Sequence, residues 1–82
     1  MPSPKIFYLT SHLKRRVEQR ELSVDCIKDV VKYPDRKHQQ RRGDHGGFVY
    51  LFEKTVAGKT LVVCAELKKS ECWIITAFYE AH

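Results

Sequence analysis

The apolar positions of this chain change period along its length, and the changes mark out elements. Residues 5–9 (KIFYL) form a short apolar, aromatic run that predicts an edge strand or an extended lead-in. Thr10 and Ser11 then offer a hydroxyl cap for a helix over residues 12–21. Leu13 and Val17 lie four apart on its buried stripe, Arg16 and Arg20 flank that stripe, and Arg15, Glu18 and Gln19 face water. Ser23 caps a second helix over residues 24–32, with Asp25 in its first turn and a stripe of Val24, Ile27, Val30 and Val31. Tyr33-Pro34 ends it, because a residue before proline is pushed out of the α region.

Residues 35–47 contain no apolar side chain and predict a loop, longer than most connections in compact domains. Alternation resumes at residues 48–53, with Phe48, Tyr50 and Phe52 on one face of a strand and Val49 and Leu51 on the other. Ala57-Gly58-Lys59 reads as a hairpin turn. Residues 61–67 are apolar on both faces at first, as suits a central strand. After a polar turn, residues 72–79 give a closing strand. Strict alternation there puts Trp73, Ile75 and Ala77 on one face and Ile74, Thr76 and Phe78 on the other. Helices before strands predict an α+β class: two N-terminal helices packed on a three- to four-stranded antiparallel sheet, in a single domain over residues 1–82.

Composition changes this picture in two places. The 82 residues are 43% hydrophobic and 30% charged, which excludes disorder and a large enzyme with a cofactor cleft between domains. The net charge of +5 is unevenly spread. Residues 1–45 carry eleven Lys/Arg against six Asp/Glu, whereas residues 46–82 carry four of each. A basic first half favours a polyanionic partner, with a solvated basic surface as the plain alternative. Cys26, Cys64 and Cys72 have neither zinc-site nor redox-motif spacing and read as reduced, mostly buried thiols. No long apolar run or signal segment is evident, so a cytoplasmic protein without membrane association is expected.

Several stretches together resemble a small bacterial family of unknown function. Thr10, His12, Arg16, Arg20, Leu22 and Ser23 fit its opening T-x-H-x-x-x-R-x-x-x-R-x-[IL]-S. Val30-Val31-Lys32-Tyr33-Pro34-Asp35 resembles its helix-ending element, and Leu61-Val62-Val63 one of its strands. Ile74-Ile75-Thr76-Ala77-Phe78-Tyr79 resembles its closing I-x-T-A-[FY]. The likeness spans residues 10–79. That family is grouped with the barnase, EndoU, colicin and RelE-like ribonucleases. The resemblance implies a RelE/colicin-like fold, RNA cleavage without metal or cofactor, and a toxin-like role. RNA, either tRNA or mRNA, and a small acidic antitoxin or immunity protein would then be the partners.

Cleavage of that kind needs a base for the ribose 2′-OH, a cation for the pentavalent phosphate and an acid for the leaving oxygen. His12 is the first acid/base candidate: it opens the first helix beside Lys14, Arg15 and Arg16, where a phosphate is attracted. Its plain alternative is packing or capping. Arg16 and Arg20 would fork a phosphate, or else pair with carboxylates. Thr76 sits at the family's threonine and would hold the phosphate, although strand propensity alone explains it. Tyr79 would stack a base or donate a proton, or simply pack. Arg36, Lys37, Arg41 and Arg42 would hold RNA backbone, or form a solvated loop. His38 and His45 offer a second imidazole, with plain exposure as the default. Gly43, Gly46 and Gly47 fit neither a P-loop nor a dinucleotide fingerprint. Trp73, Phe48, Tyr50 and Phe52 are expected in the core, with a base-stacking platform as the rival. The residues alone leave cleavage, plain nucleic-acid or protein binding, and a structural role all open.

Overall fold

A computed structural model describes residues 4–19 and 21–80. Its elements run β1 (Ile6–Leu9), α1 (Ser11–Glu18), α2 (Val24–Lys32), β2 (Arg36–Arg42), β3 (Phe48–Val56), β4 (Lys59–Lys68) and β5 (Glu71–Glu80). The α+β class stands. The sheet, however, has five strands in the order β1-β5-β4-β3-β2, and it is mixed rather than wholly antiparallel. β2 to β5 form an antiparallel meander, while β1 pairs parallel with β5. β1 and β2 are therefore the two edges, and the helical pair carries the chain from one edge to the other.

Both helices start where hydroxyls predict. The Thr10 side chain accepts from the Leu13 N–H at 3.2 Å, and Ser23 accepts from Cys26 at 3.4 Å. Ser11–Glu18 is shorter than residues 12–21, because Gln19 caps it and the Glu21 N–H turns back to the Arg16 carbonyl at 3.0 Å. That turn lets Leu22 enter the core. Leu13, Leu22, Ile27, Val30 and Val31 then pack on Phe52, Val63, Ile74 and their neighbours on one sheet face.

Two strand expectations, and the burial of several side chains, are corrected. Residues 36–42 are not a loop but the edge strand β2, antiparallel to β3 with a bulge at Gln40. All seven of its residues are exposed, so no buried face marks them with alternating apolar positions. Its charges also discourage another chain from adding to the edge. In β5 a bulge leaves Ile75 without a β4 partner, since Cys64 opposes Thr76 and Ala65 opposes Ile74. Ile74 and Ala77 therefore both face the helices, while Trp73, Thr76 and Phe78 lie on the other face. Trp73 accordingly leaves the core, and Phe48 is substantially exposed, while Phe52 is buried and Tyr50 packs against the core. Of the thiols, Cys72 is buried but Cys26 is exposed on α2. Among the described residues no helix is long and apolar enough to cross a membrane.

Candidate nucleic-acid interface

The helices cover one sheet face and leave the other open. On the open face β2 contributes Arg36, His38 and Arg41, which pair in register with Glu53, Leu51 and Val49 of β3. Lys37 and Arg42 fall on the helix side of the same edge. There Lys37 Nζ sits 4.5 Å from the Tyr50 ring centre, and the Arg42 guanidinium 5.5 Å from that of Phe48. The His38 imidazole lies 3.5 Å from the Glu53 carboxylate. Lys14 and Arg15 are exposed on α1.

At the end of the open face nearest the β2–β3 turn, three rings stack. His45 lies on Trp73 with ring centres 4.3 Å apart and planes 9° apart, and Trp73 lies on Tyr8 at 5.3 Å and 18°. Tyr8 is 43% exposed, so the column is open to solvent.

Beneath this column is Glu66, only 2% exposed. Its carboxylate accepts the Gly47 N–H at 2.8 Å and the His45 N–H at 2.9 Å, and its other oxygen lies 3.1 Å from His45 Nδ1. Burial on its own would push the carboxyl pKa up. The N–H donors of Gly47 and His45, together with the His45 ring, outweigh that and hold it below its ordinary value. Two glycines make room. A Cβ on Gly43 would collide with the Glu66 carboxyl group, and one on Gly47 would strike the Leu67 carbonyl. Gly46 is the member of this turn that needs a positive φ, +86°.

The residues expected to act in cleavage are partly gathered elsewhere. β1 pairs only with Glu71 to Ile74, which leaves the next stretch of the β5 edge bare. α1 covers it: the Thr10 hydroxyl donates to the Ile75 carbonyl at 3.4 Å, and Arg16 donates to the Ala77 carbonyl at 2.6 Å. The Arg16 Nε also donates to the Glu21 carboxylate at 3.1 Å. Two residues that carry the family likeness thus satisfy strand carbonyls that β1 is too short to reach. His12 is exposed one turn before Arg16, on the same side of α1. Thr76 lies in this bare stretch of β5 with its side chain on the open face, opposite Cys64. Tyr79 is six residues beyond Trp73 on the same strand, roughly 20 Å along it, and lines a cleft of about 600 Å³ under α2 with Val56 and Leu61. No hydrogen bond joins His12, Thr76 and Tyr79 among the described residues. Arg20 lies outside the described residues.

Glu66 and Tyr8 are residues that sequence reading missed; for Glu66 a signal was available. The available signal was a single carboxylate inside the apolar run Leu61 to Leu67, together with three glycines in the five residues 43–47.

No curated protein and no solved structure matches the chain. Residues 9–79 match the family described as a domain of unknown function, DUF4258, and the match takes in α1, α2, the meander up to Tyr79 and the stacked Trp73 and His45. The chain therefore belongs to the DUF4258 family.

Proposed function

We propose that this domain binds single-stranded RNA on its open sheet face, as a ribonuclease-like domain of RelE/colicin type. It would cut by attack of the ribose 2′-oxygen without a metal. The observation that supports binding is the exposed column of Tyr8, Trp73 and His45 beside the cationic strand β2. Unstacked bases settle on aromatic faces, and a duplex cannot offer its bases that way. Arg36 and Arg41 stand on the same face for phosphates, with Lys14 and Arg15 at the α1 edge. For cleavage, the family likeness supplies His12, Arg16, Arg20, Thr76 and Tyr79. tRNA or mRNA is the substrate class, and a small acidic antitoxin or immunity protein would cover the β2 charges.

Binding has a built-in reporter, because Trp73 is the chain's single tryptophan. Titration with labelled single-stranded RNA at low salt should quench Trp73 fluorescence and raise RNA anisotropy together. Affinity should fall with salt, and Arg41→Ala should reduce the log–log slope by about 0.7. RNA that neither binds nor quenches at low salt refutes the proposal.

One observation favours a non-catalytic variant of the same reading. Arg16 is already engaged by Ala77 and Glu21, so it is not free to fork a phosphate. A protein that binds RNA but leaves total RNA and tRNA intact, and whose expression is harmless, would be a binding module.

A further inference from the structure

We propose that His45 is the acid/base residue of this face, with Glu66 as its positioning residue. The inference rests on the reading of the open face as an RNA site. The His45 and Gly47 N–H groups, both donating to the Glu66 carboxylate, already close the β2–β3 turn. The structure adds two constraints that a turn does not need. A carboxylate oxygen meets His45 Nδ1 at 3.1 Å, and the ring lies nearly parallel to Trp73. Together they fix the orientation of an imidazole whose side chain is still 48% exposed.

A carboxylate can only accept, so in the neutral ring the proton sits on Nδ1 and the lone pair on Nε2. Nε2 has no protein partner among the described residues. A base held by a buried acid, with its second nitrogen free, is the arrangement general-base catalysis requires. Lys68 brings positive charge to the same corner, since a Cβ on Gly46 would lie 3.4 Å from its Nζ.

Nε2 takes the proton of a ribose 2′-OH, and the 2′-oxygen forms a bond to the adjacent phosphorus. The bond from phosphorus to the 5′-oxygen breaks, and that oxygen takes a proton from water. The products are a 2′,3′-cyclic phosphate and a 5′-hydroxyl. His45 then returns its proton to solvent. The transient imidazolium lies between the indole face and the Glu66 carboxylate, both of which stabilise positive charge. Lys68 is placed to offset charge on the phosphoryl oxygens.

The test uses the intact protein and a fluorescein-labelled, random-sequence single-stranded RNA, with an all-2′-deoxy version for binding. With one ring of the column gone, His45→Gln should lose some affinity for the deoxy strand, yet at saturating RNA its cleavage rate should fall about 10²–10⁴-fold. His45→Ala should recover part of its rate when imidazole is added. Glu66→Gln should lower kcat more than it raises KM. Should it fail to fold, the two His45 variants decide alone. Full cleavage by His45→Gln, or a parent that binds RNA without cutting it, overturns the role of His45 and leaves the RNA-binding reading intact. A parent that neither binds nor cuts overturns both.

Discussion

Glu66→Ala should be among the most damaging substitutions in this domain, and its cost can be worked from the contacts. The Gly47 N–H is buried and has the Glu66 carboxylate as its partner at 2.8 Å. Orphaning such a donor costs about 1–3 kcal/mol. The His45 N–H loses the same carboxylate, but it sits in an exposed residue where water can replace the acceptor, so about 0.5–1.5 kcal/mol is lost there. The total is roughly 2–4 kcal/mol, a large share of the 5–15 kcal/mol expected for a small domain. For a chain of this size it lowers Tm by roughly 10–25 °C. Thermal unfolding followed by near-ultraviolet circular dichroism or calorimetry measures it.

Acid supplies a second arm. The folded carboxyl of Glu66 titrates below its ordinary value, so its stabilisation is fully present above the unfolded carboxyl pKa, about 4.3. It is lost as pH falls through the lower, folded value. The Tm gap between parent and Glu66→Ala should therefore be full at neutral pH and narrow in strong acid. A loss under about 4 °C at neutral pH, or a gap that does not narrow in acid, would show that the carboxylate is not what holds the turn.

Two further predictions separate structural from chemical roles. Arg16→Ala removes a 2.6 Å bond to the Ala77 carbonyl and the pair with Glu21, so it should cost about 1.5–3 kcal/mol by calorimetry whether or not RNA is present. An unchanged melting curve would return Arg16 to the list of free phosphate ligands. Among the thiols, exposed Cys26 should react with a chromogenic disulfide in the folded protein. Cys72, buried and with its pKa pushed up to about 12 by that burial, should react only after unfolding, and rapid labelling of Cys72 in native buffer would contradict the packing.

Legibility followed burial. α2 was readable to the residue because a hydroxyl cap, an apolar stripe and a proline stop all act locally. β3, β4 and β5 were readable because each buries a face. β2 was not, since its strand character resides in backbone bonds to β3 and none of its side chains is buried. The parallel pairing of β1 with β5 joins residues some 65 positions apart, and no turn between them sets its direction. Ile75 reversed the facing of the closing strand, because a one-residue bulge shifts every later side chain by one place and leaves composition untouched. That single residue is why strict alternation puts Trp73 on one face with Ala77, when the two stand on opposite faces.

The hidden strand also concealed the candidate site. While residues 35–47 read as one long loop, nothing connects His45 to Glu66, 21 positions away. Once residues 36–42 pair with β3, only residues 43–47 remain to turn the chain, and the turn must close at the Phe48 end of β3. The β3–β4 register then fixes what lies there, for Val49 opposes Glu66 and Phe48 opposes Leu67. A carboxylate at that place meets the free N–H groups of the turn, and only residues without a Cβ let it approach, as the collisions at Gly43 and Gly47 show. Glycines with no positive φ to explain them, facing a lone acid in an apolar strand, are therefore evidence of a close approach. Here that approach places the one buried carboxylate of the sheet under the imidazole that stacks on Trp73.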